Sequence, residues 1–448
     1  MSQTIKLKRG LDLNLAGSLA DDAPLRKVEP SRIAIVPDDF PGFIPKVLVK
    51  EGEAVSAGQP LAKDKVNGEV CIVSPVDGTV EAVVRGERRK VLRIVVKVAE
   101  KQSAPESKSR ESLSADELTA ALQRSGLWAL MRQRPYDIVP VAGRRPVNIF
   151  VTAFDSAPLA PNLEAEVAGR DKEIQAGIKA LAQLTDGKVY VSTRPDSAIQ
   201  VPAPAEHVII EGPHTAGNAG VQANNIAPVN KGQVIWTLDI VTVARIGAFI
   251  LTGCPFWTTK VAVTGSEVET PTLIDTIVGA DIRQLVEGNL KTSDRHQRII
   301  SGNILTGWKT DMDGFLRFPW RQITVIPEGD DVDEFMGWAS LSPKKMSESR
   351  SFLSKLTGRK GFAPDARLLG GRRAMIMSGQ YDKVMPMDIM PEYLIKAILS
   401  RDIDRMEQLG IYEVAPEDFA LAEYVDPSKL ELQKIVREGL DYLRKELD

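Results

Sequence analysis

Between Gly42 and Val80 the chain consists of short runs of Val, Ile and Leu with glycine at the turn positions. The segment reads Gly42-Phe-Ile-Pro-Lys-Val-Leu-Val-Lys-Glu-Gly52, then Val55, Gly58-Gln-Pro-Leu61, Asp64-Lys65 and Ser74-Pro-Val-Asp-Gly78-Thr-Val80. So many tight turns leave no room for a long helix. The segment predicts a small barrel of short strands.

The phrase running from Val49 to Val80 resembles the flattened barrels of lipoyl- and biotinyl-type domains. Such barrels carry a modified lysine at a hairpin tip, and Lys65 is the candidate here. Asn67-Gly68 is the stronger turn signal. Lys65 is therefore expected to be an ordinary surface lysine on a barrel kept for its shape.

At 448 residues, with about 150 residues per domain, the chain has room for about three domains, each with its own core. A net charge of −3 argues against nucleic acid or another polyanion as a general partner. Cys71 and Cys254 stand far apart with no CxxC, so cysteine alone builds no iron–sulfur or zinc site. His207, His214 and His296 show no HxxxH spacing, and two cysteines make no disulfide framework. The apolar stretch from Ile246 to Trp257 is broken by Gly247, Thr252, Gly253 and Pro255, short of the ~20 residues a membrane span needs. Any membrane contact is expected to be peripheral, through other subunits.

The pattern divides as an N-terminal segment and barrel over 1–100, a capping helix and Rossmann-like α/β domain over 113–255, and a β-grasp module over 256–330. A basic linker over 331–380 and a C-terminal helical domain over 381–448 follow. The fold class is multidomain α+β. Ser114-Ala-Asp-Glu117 is a capping box, and the helix it opens is expected to run through Leu118, Leu122, Leu127 and Met131. Strands are expected at 147–152, 188–193 and 208–211, around a helix over 171–184. This βαβ rhythm predicts a parallel sheet. Further on, 260–264 and 322–326 read as strands, and 272–277 and 282–285 as helical. Residues 344–373 hold nine Lys and Arg (344, 345, 350, 355, 359, 360, 367, 372, 373) against Glu348 and Asp365. That linker is either a solvated loop or a docking surface for anionic lipid or an acidic partner chain. Pro391 to Leu409 reads as one amphipathic helix closed by Gly410, and Ser428 as the cap of a final helix with Leu432, Val436, Leu440, Leu443 and Leu447 on its face.

Several phrases in this order resemble the A subunits of the sodium-translocating NADH:quinone oxidoreductases over essentially the whole chain. They are Lys8-Arg-Gly-Leu-Asp-Leu13, Asp64-Lys65, Ser125-Gly-Leu-Trp128, Arg132-Gln-Arg-Pro135, Gly212-Pro-His-Thr-Ala-Gly217, Gly302-Asn-Ile-Leu-Thr-Gly307, Pro327-Glu-Gly329 and Val384-Met-Pro-Met-Asp-Ile389. The resemblance implies a barrel-sandwich domain, a Rossmann-like domain, an SLBB-like β-grasp domain and C-terminal helices. More distantly, this set is similar to the flavoprotein subunit of respiratory complex I and the C subunit of the Rnf complex. In those relatives a glycine-rich loop approaches the flavin phosphate. Here the corresponding stretch, 126–135, has one glycine, and Gly217-Asn-Ala-Gly220 is only a GxxG turn. Residues 410–427 hold no cysteine, although many relatives carry cysteines there.

The resemblance therefore implies a peripheral subunit of a sodium-pumping complex that binds no flavin or cluster itself. FMN, FAD, riboflavin and a 2Fe-2S centre are expected on other subunits. The chief partner is expected to be the quinone-side B subunit in the membrane, at the cytoplasmic face of the bacterial inner membrane. The alternative is a soluble small-molecule-binding protein built on the SLBB-type module.

A quinone head group needs apolar walls and one or two donors. Trp128, Arg132, Arg134, Pro135 and Tyr136 supply such types within nine residues. Phe40, Gly42 and Phe43 lie on a loop expected to be exposed, and His214 in a glycine-flanked loop can donate to a carbonyl. Each also has a plainer reading. Trp128 and Tyr136 would pack the core, Arg132 and Arg134 would end a helix, and His214 would hold a turn.

Overall fold

The computed structural model describes residues 3–104, 108–332, 345–346 and 361–447. The barrel forms as the glycine pattern predicts. One sheet orders Arg32–Ile35, Val91–Val98, Gly78–Arg85 and Ala54–Val55, and a second orders Pro45–Val47, Pro60–Asp64 and Cys71–Val73. Ile33, Leu61, Val70, Ile94 and Val96 fill the space between them. Lys65 lies exposed in the Pro60–Asp64 to Cys71–Val73 hairpin. Two residues on, Asn67 donates to the Pro140 carbonyl (2.7 Å) and accepts from the Ala142 amide (2.7 Å). This hairpin is fastened to the next domain.

That domain is a six-stranded sheet in the order Gln3–Lys6, Glu206–Glu211, Lys188–Thr193, Asn148–Thr152, Ile235–Asp239, Arg132–Arg134. All neighbours are parallel except the Arg132–Arg134 edge strand. Helix Asp171–Leu184 buries Ile174, Ile178, Leu181 and Leu184 against helix Ile240–Thr252. Gly177 and Gly247 allow this approach, because a Cβ at either would strike backbone of the opposite helix.

The third body is a mixed sheet ordered Trp308–Thr310, Gln297–Ser301, Gln322–Pro327, Thr258–Thr264, Thr272–Ile277, Leu25–Lys27, with helix Ile282–Val286 against it. The N-terminal segment thus lends an edge strand to two sheets, Gln3–Lys6 to one and Leu25–Lys27 to the other. The C-terminal helices share one core with the α/β domain. Leu394, Ile395, Phe419 and Leu440 pack in the same cluster as Phe150, Val208 and Ile210.

Four expectations are corrected. Residues 272–277 form a strand, not a helix, and its burial alternates along Thr-Leu-Ile-Asp-Thr-Ile with the two-residue period of a pleat. The helix capped by Ser114 does have its capping box but stops at Arg124. Gly126 then turns at φ +82°, and Trp128–Leu130 is a 3₁₀ turn. The 391–409 helix is two helices, Pro391–Ser400 and Ile403–Gln408, broken by Arg401 at φ +56° and restarted by an Asp402 cap; Gly410 closes the second, as expected. Ser428 does not cap helix Leu432–Leu447; its hydroxyl accepts from the Ile376 amide (3.0 Å).

Part of the basic linker, including Lys344, Glu348, Arg350, Lys355, Arg359 and Lys360, lies outside the described residues. Within them, Arg372 pairs with Glu431 and Arg367 with Asp365. No helix among the described residues is long and apolar enough to cross a membrane. Nor do they hold a group of three His, Cys, Asp or Glu placed for a metal ion.

Candidate functional site

The turn at Gly126 distributes the predicted residues among different neighbourhoods. A Cβ at Gly126 would meet Val73 at 2.9 Å, so the barrel wall forces glycine here and the chain bends into the 3₁₀ turn. Trp128 is 1% exposed. Its Nε1 donates to the Pro140 carbonyl (2.8 Å), and its ring meets Trp236 edge-on at 4.9 Å. Trp128 therefore packs the core. Arg134, also 1% exposed, is turned toward the C-terminal helices. It donates to the Glu413 carbonyl (2.7 Å) and pairs with buried Asp418 (2.7 Å). Pro135 follows it, and Tyr136, buried at φ +81°, gives its carbonyl to Arg437 (2.7 Å).

His214 forms a separate group. Its amide donates to Asp12 (2.8 Å) and its Nδ1 meets the Ser156 hydroxyl (3.0 Å). Burial brings its pKa down to about 4, so the ring is neutral at physiological pH. The nearby GxxG turn is filled by protein. A Cβ at Gly220 would lie 2.2 Å from the Arg134 guanidinium, and one at Gly217 would lie 2.6 Å from Ser156.

The aromatic residues of the loop over 37–43 are buried, contrary to the sequence expectation, while Asp38 and Gly42 are exposed. Phe40 and Phe43 are 6% and 7% exposed. Phe40 stacks on Phe318 of the third body (5.3 Å, 12°), and Phe43 meets Phe40 edge-on at 6.5 Å. Gly42 sits at φ +82°, with Ile138 2.9 Å from where a Cβ would be. Arg132 belongs here too. Its Nη2 donates to the Asp39 carbonyl (2.7 Å) and its guanidinium lies 5.8 Å from the Phe318 ring.

The structure therefore groups Phe40, Gly42, Phe43 and Arg132, and separates them from Arg134, Pro135 and Tyr136 and from His214. Beside the first group the three bodies meet around a narrow crevice, part of it open to solvent. Its apolar wall includes Ile35 and Phe40 from the barrel, Leu130 from the α/β domain, and Trp257, Leu316 and Phe318 from the third body. Among the described residues two charged side chains line it, Asp39 and Arg245. Asp39 accepts from Arg317 Nε (2.7 Å) and from the Phe318 amide (3.0 Å). Burial outweighs these partners and pushes its pKa up to about 6. Arg245, on helix Ile240–Thr252, is 1% exposed and donates to the Thr258 carbonyl (3.1 Å). A lining that is mostly apolar with a few fixed polar groups is the chemistry a flat, largely apolar ring needs, and the crevice must widen to admit one. No sequence signal marks Trp257 or Phe318, and Arg245 shows only as a lone charge in an apolar stretch; the three come together through the packing of the bodies.

Three family models match the chain. The NqrA N-terminal barrel-sandwich hybrid domain matches residues 5–99, the NqrA second alpha/beta domain residues 113–255, and the NQRA C-terminal domain residues 260–311. Among similar proteins, the A subunit of the Na(+)-translocating NADH-quinone reductase of Photorhabdus laumondii subsp. laumondii is 36% identical, over 99% of this chain and 100% of that protein. Its counterpart of the same name from Rhodopirellula baltica is 35% identical, over 98% of each. That from Yersinia pseudotuberculosis is 34% identical, over 99% of this chain and 100% of that protein.

Proposed function

The chain belongs to the family of A subunits of the Na(+)-translocating NADH-quinone reductases, and from that premise we propose that its three-way crevice receives the quinone head group. The observation that carries this reading is the crevice itself. Phe40, Leu130, Trp257, Leu316 and Phe318 form a largely apolar wall, with Asp39 and Arg245 as its charged groups. Quinone rings bind by such contacts, with walls supplying most of the affinity and a few donors fixing orientation. Of the sequence-predicted residues, Phe40 lines the crevice, Phe43 packs on Phe40 and Arg132 lies against Phe318, while Gly42 packs on Ile138. Trp128, Arg134, Pro135, Tyr136 and His214 hold the surrounding fold.

In this reading the chain is a peripheral subunit at the cytoplasmic face of the bacterial inner membrane. It is docked on the B subunit in the membrane, and FMN, FAD, riboflavin and the 2Fe-2S centre are carried by other subunits. The alternative of a free-standing small-molecule-binding protein is not favoured, because the matching relatives extend over the full chain and not only its third body.

The test is an equilibrium titration of the full isolated chain with a water-soluble short-tail quinone, with an absorbance scan for flavin. Saturable binding that weakens in Phe318→Ala is expected. No binding to the folded chain would overturn the quinone reading of the crevice.

A further inference from the structure

Arg245 is a buried cation without a counter-ion of its own. Among the described residues no carboxylate lies within ion-pair distance of it. Among the described residues its Nε has no hydrogen-bond partner, and the Thr258 carbonyl is its one acceptor. The charged groups that act on it are Arg321 and Arg170, which repel, and Glu166 and Asp239, which attract. Both carboxylates are engaged elsewhere. Asp239 pairs with Arg321 (2.9 Å) and caps helix Ile240–Thr252 at the Thr242 amide (2.7 Å). Glu166 accepts from the Lys260 amide (2.6 Å). The other arginines around the crevice are engaged as well. Arg317 is neutralised by Asp39, and Arg132 is bound to main-chain carbonyls.

An unpaired buried charge is costly to hold. The ring faces of Phe256 (5.4 Å) and Trp257 (6.0 Å) compensate part of that cost. Burial and Arg321 bring the pKa of Arg245 down to about 10, which still leaves it charged at neutral pH.

We propose that Arg245 is a substrate contact that holds the negatively charged oxygen a quinone ring develops as it takes up electrons. The proposal rests on the quinone reading of the crevice and names the group that makes the crevice selective. Quinone reduction adds two electrons, delivered by the rest of the NADH-oxidising complex, and two protons, one on each oxygen, to give the quinol. Until a proton arrives, negative charge sits on a ring oxygen. A guanidinium already fixed in an apolar crevice stabilises that charge without reorganising, and more strongly than it would in water. A neutral carbonyl gains only an ordinary hydrogen bond from the same group, so the crevice favours the charged form. Asp39 cannot take this role, because a carboxylate repels a negative oxygen; its own charge is instead set against Arg317 and the Phe318 amide.

Two naphthoquinones of nearly the same shape test the proposal on the full chain at neutral pH. One is 2-hydroxy-1,4-naphthoquinone, ionised at that pH, and the other is its neutral 2-methoxy counterpart. Titration calorimetry is expected to show the anion binding at least tenfold tighter, with the preference lost in Arg245→Met. Arg245→Gln repeats the measurement if circular dichroism shows the methionine variant misfolded. Equal binding of the two compounds to the wild-type chain overturns the role of Arg245 while leaving the quinone reading intact. A preference that survives both substitutions also overturns it. If neither compound nor a short-tail quinone binds, the quinone reading fails and this inference fails with it.

Discussion

Arg134 and Arg245 are each 1% exposed, yet they stand in opposite electrostatic situations. Arg134 meets a buried carboxylate at 2.7 Å and a main-chain carbonyl, and its pKa is raised above that of a free arginine. Arg245 has one carbonyl, two aromatic faces and a pKa brought down to about 10. The first ties the α/β edge strand to the C-terminal helices. The second costs stability and, in our account, is held for a substrate. Burial alone does not distinguish a structural arginine from a functional one; the presence or lack of its own anion does.

The largest expected effect tests the structural side of this contrast. Arg134→Met strands Asp418 without its cation, so chemical denaturation should show a loss of about 3–5 kcal/mol. A loss below about 1 kcal/mol would make Arg134 no more structural than Arg245.

The next effect is a pH dependence, with Asp39 and Glu328 moving in opposite directions. Glu328 is held by Arg298 and Lys309 and its pKa is lowered from 4.5 to about 2. It therefore contributes stability above about pH 4.5 that is lost as the pH falls toward 2. Burial raises Asp39 from 3.8 to about 6, so its ionisation opposes folding. That penalty is absent below about pH 4 and fully present above about pH 6, where it amounts to about 3 kcal/mol. Stability curves of Asp39→Asn and wild type, measured from pH 4 to 7, should differ in slope across that window. Parallel curves would mean Asp39 is not buried against its charge.

Smaller still, Phe318→Ala removes the Phe40 stack from a half-buried position and should cost about 2 kcal/mol in the unfolding free energy. The smallest effect is expected at the other arginine. Arg245→Met replaces an unpaired charge with an apolar side chain of similar reach, so the unfolding free energy should stay within about 1 kcal/mol of wild type or rise. A loss comparable with that of Arg134→Met would erase the distinction between the two residues.

Much of the scaffold is legible in the sequence because periodicity reports burial directly. Helix Asp171–Leu184 and strand Lys188–Thr193 lie where their apolar spacing puts them. The barrel follows from its glycines. Thr272–Ile277 is ambiguous in sequence because six residues are too few to separate a period of 2 from one of 3.6, and its β-branched Thr and Ile decide for a strand. The aromatic and arginine cluster at 128–136 is visible as a composition, but long side chains that start from one short edge strand reach different bodies, and only the packing shows which. Arg132 reaches the Asp39 carbonyl in the barrel loop and Arg134 the Glu413 carbonyl before the C-terminal helices. Arg245 is hidden by its surroundings, a single charge in the apolar helix Ile-Val-Thr-Val-Ala-Arg-Ile-Gly-Ala-Phe-Ile-Leu-Thr. A lone charge in such a helix raises the question of its counter-ion, and only the packing shows that no anion among the described residues answers it.

The most direct test of the crevice is steady-state kinetics of the assembled reductase carrying Phe318→Ala. The quinone KM is expected to rise severalfold while the NADH KM stays unchanged. An unchanged quinone KM in a fully assembled complex would contradict the account and move the quinone site away from this chain.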